Sequence, residues 1–301
     1  MEFNLVSFGI QLRNIRNQLN MTLEDVSELS GVNAETIRRI ESGKVIPKLE
    51  TLEFLSLTYK QDISSLFLKY RCNSHDYYVS LRTRIENKLY FIDLSNIEED
   101  LQELENFIEC TANSFLKRDM RQLYILTQAM VLYKRENDFN SAMDHLTKAI
   151  RITIPDFTIS RFAKYTYSHI ESWILIMFAI IEIELFNNVL AMKILDFCTK
   201  IIDINDKLYI LLYYNLAYIY ENAKEYDKCV AMADKGITAC QQNMNFFGLP
   251  VLYLYKGIAM YRLGDEGYHD YFAKAITLCQ CFGQERFIRL VSKKYEEIFK
   301  V

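Results

Sequence analysis

The sequence predicts an all-α protein, with a small domain of five short helices followed by a solenoid of stacked helix pairs. Three observations support this fold class. Only nine Gly and three Pro occur in 301 residues, which favours long helices over a many-turned β-fold. Apolar residues recur every three or four positions along most of the chain. Beyond residue 76, helix pairs with small residues at their contacts recur at a period of roughly 40 residues, which is typical of a solenoid.

The N-terminal domain begins with one amphipathic helix and a pair of short helices hinged at Gly31. Thr22 is placed to cap the first helix of the pair, with Asp25 three residues later as an acidic form of the capping box. Gly31 supplies the positive φ that ends this helix, and Asn33 caps the next one, which ends before Gly43. The residues predicted to face inward are Phe8, Leu12, Ile15, Leu19, Val26, Leu29, Ile37 and Ile40.

Two more short helices complete this domain. Pro47 starts a turn, after which apolar residues again recur at helical spacing. These residues are Leu49, Leu52, Leu55, Tyr59, Ile63, Leu66 and Phe67. Five helices in residues 1–70 therefore predict one small core. The polar residues 71–76 are predicted to form a linker, and residues 77–301 a helical repeat domain.

The segment from Phe8 to Tyr70 resembles the Cro/C1-type (XRE) helix-turn-helix family. The matching residues are Leu12-Arg13-x-x-Arg16, Met21-Thr22, Val26-Ser27, Gly31-Val32, Thr36-Ile37, Ile40-Glu41-x-Gly43, Pro47 and Thr51-Leu52. This resemblance implies DNA binding through the second helix of the pair. It places Ala34, Glu35 and Arg39 at base edges, and Asn33, Ser42 and Lys44 at phosphates. It also implies an internal salt bridge between Arg16 and Glu41.

The charge of this domain argues against indiscriminate DNA binding. Residues 1–70 hold eight basic and nine acidic side chains, a net charge of −1, whereas nonspecific DNA binders are strongly basic. Local positive charge has to come from one face, which carries Arg13, Arg38, Arg39, Lys44 and Lys48. A single domain of this kind is expected to bind weakly. We therefore expect a homodimer on a two-fold symmetric double-stranded operator.

Beyond the linker, small and large apolar residues alternate in a way that resembles the tetratricopeptide repeat (TPR). Four helix pairs carry this pattern, over residues 129–149, 178–198, 216–236 and 257–275. Residues 77–109 are predicted to form a degenerate first pair, and residues 284–300 a C-terminal capping helix. Each pattern alone is weak, since Ala and Tyr at helical spacing occur in many helical cores. Four in register predict a solenoid.

An XRE-type domain followed by about five TPR-like pairs resembles the Rgg and PlcR branch of the RRNPP regulators. The resemblance implies that a short signalling peptide binds the concave face of the solenoid and changes the dimer. Asn215 lies at the register where this family uses an Asn to bind peptide amides. Tyr218 and Asn222 lie on the same side of that helix, and Gln128 and Tyr255 hold the equivalent position in flanking pairs. Alternatively, Asn215 bridges helices and the tyrosines belong to the core.

Other function classes find little support. The sequence shows no Gly-rich phosphate loop and no Ser/His/Asp or Cys/His signature, so we expect neither an enzyme nor a cofactor. Cys72-x-x-His75 and Cys279-x-Cys281 could each supply two metal ligands, but neither has a second pair of ligating residues nearby in the sequence. We therefore expect no metal site. Cys198, Cys229 and Cys240 are expected to be reduced core thiols.

The expected location is the cytoplasm. The longest apolar run, Trp173 to Ile181, is too short to span a bilayer, and the N-terminus lacks the pattern of a signal peptide. This run predicts a buried helix or a subunit contact.

Three hypotheses follow. The first is a transcription regulator controlled by a signalling peptide. The second is a helix-turn-helix regulator whose TPR-like domain binds a protein partner instead. The third, an enzyme attached to a DNA-binding domain, is remote because the chain lacks a catalytic constellation.

Overall fold

The computed structural model describes residues 3–70, 75–91, 93–111, 113–246 and 248–282. Within these ranges the chain is all helical and contains no strand, as the sequence predicts. The chain divides into two compact units, Met1–Thr127 and Gln128–Val301. This division does not coincide with the predicted domain boundary at residues 71–76. That boundary falls mostly on residues outside the described ranges and stays a prediction, as does the capping helix at 284–300.

The first unit opens with the five predicted short helices. They are α1 (Leu5–Gln18), α2 (Leu23–Ser30), α3 (Ala34–Glu41), α4 (Leu49–Tyr59) and α5 (Ile63–Lys69). Three more helices follow, of which the last includes the boundary between the two units at Thr127. They are α6 (His75–Phe91), α7 (Ile97–Cys110) and α8 (Ser114–Val131).

Capping interactions set the boundaries of the short helices. Thr22 and Asp25 form the predicted capping box at the start of α2, with both reciprocal hydrogen bonds present. Gly31 ends α2 with a φ of 71°. Gly43 has a φ of 69°, and a Cβ there would lie 2.8 Å from the backbone of Val6. Only glycine fits this close approach between the end of α3 and the start of α1.

We call the helices α1 to α5, from Leu5 to Lys69, the short-helix domain. Its predicted core is present, with three exceptions. Its buried residues include Phe8, Leu12, Ile15, Val26, Ile37, Ile40, Leu52, Leu55, Tyr59, Ile63 and Phe67. The prediction that Leu19, Leu29 and Leu49 face inward is wrong, since they are 40%, 65% and 68% exposed. Leu19 caps the end of α1 and Leu49 begins α4. Leu29 lies on the eight-residue α2, in which Val26 is the buried residue.

A buried carboxylate ties α3 to α1. Glu41, 3% exposed, accepts hydrogen bonds from Arg16 Nε at 2.7 Å and Arg16 Nη2 at 3.0 Å. It also accepts one from Arg13 Nε at 3.3 Å. Arg16 Nη1 donates to the carbonyl of Met21 at 2.9 Å, in the turn before α2. The predicted ion pair is therefore present, and it links three elements of the domain.

Charged side chains also join α6 to α7, which the apolar pattern did not indicate. Asp100 is 3% exposed and accepts from Arg84 Nε at 2.9 Å and Lys88 Nζ at 2.5 Å. Arg84 also donates to Glu103 at 2.7 Å, and this hydrogen bond lowers the pKa of the Glu103 carboxyl. Because both donors compensate the buried Asp100, the pair is held by charge as well as by apolar contacts.

The second unit contains the predicted helix pairs. A π-helical turn (Leu132–Glu136) extends α8, and a 3₁₀ segment (Ile159–Lys164) precedes the second pair. The other helices are α9 (Phe139–Arg151), α10 (His169–Glu184), α11 (Asn188–Ile201), α12 (Lys207–Asn222), α13 (Tyr226–Gln242), α14 (Leu249–Leu263) and α15 (Tyr268–Cys281). The apolar run Trp173–Ile181 lies in α10 and is almost wholly buried. No described helix is long and apolar enough to cross a membrane.

Small residues allow helices to approach closely, both within a pair and between neighbouring pairs. A Cβ built on Gly257 of α14 would lie 2.9 Å from two ring atoms of Phe272 on α15. A Cβ on Gly236 of α13 would lie 2.7 Å from Leu252 of α14. These contacts confirm the sequence-based expectation that small residues mark the places where helices touch.

Gly257→Val should destabilise the second unit by about 1–3 kcal/mol, because the added methyl groups overlap the Phe272 ring. Urea denaturation would measure this loss. The double variant Gly257→Val/Phe272→Leu should lose less than the sum of the two single variants. Strict additivity would contradict the assigned contact.

Glu41→Ala should destabilise the short-helix domain by about 3 kcal/mol, because Arg16 is left half-buried without its carboxylate. Arg13→Ala should cost less than about 1 kcal/mol, since the Arg13 side chain is 52% exposed. Thermal unfolding of both variants would test this order. A larger loss for Arg13→Ala would contradict it.

Candidate functional sites

Helix α3 divides into a buried side and an exposed side. Ile37 and Ile40 anchor its buried side in the core. Asn33, Glu35, Arg38, Arg39 and Lys44 are exposed, whereas Ala34 and Ser42 are half-buried. All seven residues proposed for DNA contact therefore lie on α3, at its N-cap or in the turn that follows it. Because Glu41 fixes the helix from behind, the exposed side presents these groups on a rigid element.

Several of these polar groups have partners within α3 itself. Asn33 accepts a hydrogen bond from the backbone N–H of Glu35 at 2.8 Å and so caps the helix. Arg38 Nη1 lies 2.7 Å from Glu35 Oε2, one turn earlier. Ser42 donates to the carbonyl of Arg39 at 3.1 Å.

A second candidate site lies in the unit Gln128–Val301, where tyrosines from three helix pairs come together. We call Tyr133, Tyr214, Tyr218 and Tyr255 the tyrosine face. The rings of Tyr218 on α12 and Tyr255 on α14 lie 5.7 Å apart. Burial raises the pKa of the Tyr133 hydroxyl, and the hydroxyls of Tyr214 and Tyr218 raise it further. Tyr133 lies in the π-helical turn that extends α8, Tyr214 and Tyr218 lie on α12, and Tyr255 lies on α14. The helices α8, α12 and α14 are each the first helix of a pair.

Charged groups border the tyrosine face. The hydroxyl of Tyr133 donates to Glu184 Oε1 at 3.1 Å. The same hydroxyl accepts from Lys134 Nζ at 3.2 Å, and the ammonium lies 4.3 Å from the centre of the Tyr133 ring. Burial raises the pKa of the Tyr255 hydroxyl, and the side chain of Glu221, 9% exposed, raises it further. A ligand on this face would therefore meet aromatic rings together with charges of both signs.

Several groups here are accessible to solvent and yet desolvated. Lys134 is exposed, but desolvation lowers the pKa of its ammonium group. Tyr214 and Tyr255 are half-buried. Burial raises the pKa of the Tyr214 hydroxyl to about 12 and that of Tyr255 well above its ordinary value. These groups are therefore partly exposed and at the same time packed against other protein atoms.

The five residues proposed for peptide contact have different surroundings. Tyr218 and Tyr255 lie in the tyrosine face. Asn215 is 6% exposed, and its Nδ2 donates to the carbonyl of Leu211 at 2.7 Å, one turn back on α12. Asn222 is exposed at the last position of α12, and Gln128 is half-buried on α8. The structure thus brings two of the five together and turns Asn215 towards its own helix.

Tyr133, Lys134, Glu184 and Tyr214 were not among the proposed residues. Tyr133 and Lys134 lie in the π-helical turn, whose wider geometry rotates the following side chains relative to an α-helix. The only sequence signal was the density of tyrosine on the first helices, with Tyr213-Tyr214 four residues before Ala217-Tyr218.

The cysteines do not add a site. Cys198, Cys229 and Cys240 are buried free thiols, and burial raises the pKa of each to about 12. In the described part of the chain, no three His, Cys, Asp or Glu side chains are grouped to hold a metal ion. Cys72 of the Cys72-x-x-His75 motif lies outside the described residues.

Comparison with known proteins gives a match for the short-helix domain. The helix-turn-helix family HTH_3 matches residues 12–66. The HTH-type transcriptional repressor RghR of Bacillus subtilis (strain 168) is 39% identical over 64 residues. That alignment covers 21% of this chain and 47% of RghR. The chain thus spans less than half of this relative, and the likeness concerns the domain alone.

Solved structures match nearly the whole chain. PlcR of Bacillus thuringiensis, in complex with the peptide PapR7 and DNA, has a TM-score of 0.74 at 14% identity, covering 95% of this chain and 98% of PlcR. A cysteine-to-serine variant of Rgg2, the SHP pheromone receptor of Streptococcus dysgalactiae, has a TM-score of 0.58 at 14% identity, covering 98% and 99%. ComR of S. thermophilus, with DNA and its signalling peptide ComS, has 0.58 at 13%, covering 95% and 98%.

These matches confirm the fold that the sequence predicts, since identities of this size speak to architecture. The chain carries an XRE-type helix-turn-helix domain and, over almost its entire length, has the fold of the RRNPP-family regulators PlcR, Rgg2 and ComR.

Proposed function

We propose that this chain is a DNA-binding transcription regulator whose operator binding is controlled by a short signalling peptide on the tyrosine face. The observation that carries the peptide part is the ring contact between Tyr218 and Tyr255, together with the hydrogen bonds of Tyr133 to Glu184 and Lys134. The DNA part is supported by the exposed polar side of α3.

In the proposed complex, α3 lies in the major groove. Arg39 has a guanidinium suited to the two acceptors of a guanine edge, and Ala34 offers a methyl group to thymine. Lys44 and the backbone near Asn33 and Ser42 hold phosphates. Because the domain has a net charge of −1, one copy binds weakly, and two copies on a symmetric operator supply the affinity.

The tyrosine face suits an apolar peptide with a few polar groups. Tyrosine rings provide contact area at a low cost in conformational entropy, and their hydroxyls pair with peptide amides. Glu184 and Lys134 lie on either side of the Tyr133 hydroxyl, so they can orient a polar end of the ligand. A peptide that binds one arrangement of the dimer more tightly shifts its population, and with it the spacing of the DNA-binding domains. PlcR and ComR were solved with peptide and DNA bound, which supports the same pair of ligands here.

Arg39→Ala should lower operator affinity by about 1–3 kcal/mol and relax selectivity at one base position, if the guanidinium binds guanine with two hydrogen bonds. Lys44→Ala should instead weaken binding to all sequences alike and flatten the salt dependence. Selection of operator sequences from a random duplex library, followed by salt titrations, measures both. Identical, sequence-independent losses from the two variants would reassign Arg39 to phosphate contact.

Tyr255→Leu should abolish the effect of peptide on DNA binding, because it removes a ring and a hydroxyl from the tyrosine face. The matched control is Tyr261→Leu on the same helix, whose ring packs 5.1 Å from Tyr268 of α15. Operator affinity would be measured with and without a pool of short synthetic apolar peptides. A protein partner captured in place of peptide, with no response to the pool, would favour the second hypothesis. An equal loss of response in both variants would remove Tyr255 from the site.

A further inference from the structure

We propose that Glu35 restrains Arg38 by an ion pair, and that this restraint weakens binding to non-cognate DNA. The inference rests on the proposed DNA-binding function and assigns Glu35 a part in discriminating between sequences. Its basis is a contact within the exposed side of α3, where Arg38 Nη1 donates to Glu35 Oε2 at 2.7 Å.

Both side chains of this pair are open to an incoming duplex. Arg38 is 57% and Glu35 60% exposed. Glu35 lies in the first turn of α3, and its backbone N–H is held by Asn33. A carboxylate in this position is favoured by the helix dipole. The pair is thus preformed on the surface that meets DNA.

The charges of the domain make this pair consequential. Arg13 and Arg16 are already bound to Glu41, so the exposed ion pair on α3 withdraws a third basic residue from phosphate. Arg39, Lys44 and Lys48 form no ion pair within the described residues 3–70. These three remain on this face to attract DNA. Release of Arg38 would therefore add a fourth cation to them.

The restraint acts on DNA binding rather than on stability. An exposed ion pair contributes between about 0 and 1 kcal/mol to folding. In contrast, each additional phosphate contact steepens the slope of log affinity against log salt by about 0.9. For Arg38 to reach a phosphate of mixed-sequence DNA it would have to leave Glu35, whose carboxylate would then face phosphates without a partner, so the pair stays closed on such DNA. At a cognate site, a cytosine amino group can take the place of Arg38 as the donor to Glu35.

The test uses the full-length chain and a mixed-sequence duplex. Salt titrations would compare wild type, Glu35→Gln, Arg38→Gln and the double variant. Glu35→Gln should raise the affinity several-fold and steepen the salt slope by about 0.9. In the Arg38→Gln background the same substitution should leave the slope unchanged. The ratio of affinities for selected operator and mixed-sequence DNA should fall in Glu35→Gln.

Glu53→Gln is the matched control, because it removes one negative charge from the same domain. The Glu53 carboxylate accepts a hydrogen bond from Ser64 Oγ at 2.9 Å rather than from a cation. The salt slope of the Glu53→Gln variant should therefore equal that of wild type. An unchanged slope in Glu35→Gln would overturn the inference. So would an equal increase with and without Arg38, which would mean simple repulsion between Glu35 and phosphate. Failure of the wild-type chain to bind any duplex would overturn the proposed function itself.

Discussion

The position of α3 depends on one buried carboxylate. Glu41 receives three hydrogen bonds from Arg13 and Arg16, and Arg16 passes the restraint on to the carbonyl of Met21. A buried charge is costly unless it is fully compensated, so this network allows one arrangement of α1, α3 and the intervening turn. The exposed residues of α3 take their directions from that arrangement. The same carboxylate also pairs with two arginines, so in the proposed complex with DNA these two contribute less to the positive charge near the duplex.

The second unit uses a different physical constraint. Its helix pairs stack closely because small residues such as Gly236 and Gly257 leave room for Leu252 and Phe272. This stacking lines up the first helices, and the tyrosines they carry then meet across pairs. The result is a group of tyrosine rings bordered by Lys134 and Glu184. In the proposed complex, an apolar ligand with polar ends would cover the partly exposed rings and pair with these charged groups.

Much of this organisation could be predicted from local sequence rules. The capping box at Thr22, the positive φ at Gly31 and the period of small residues follow from chemistry within a few residues of each position. The tyrosine face could be predicted only in part, because it depends on long-range contacts and on a π-helical turn. Asn215 stays a proposed peptide contact from its register on α12, and its Nδ2 donates to the carbonyl of Leu211 on the same helix, a bond that periodicity does not reveal. Leu29 shows where sequence rules fail in the short-helix domain, because periodicity alone could not say which turn of α2 meets the core.

The central claim is that occupancy of the tyrosine face and binding of DNA are thermodynamically coupled. Coupling between two ligands is reciprocal, so it can be measured from the peptide side. The most direct measurement is calorimetric titration of a peptide selected from the synthetic pool into the full-length chain, with and without saturating operator DNA. The account predicts that the peptide dissociation constant changes by at least about fivefold when operator is present. Equal dissociation constants in the two titrations would contradict it.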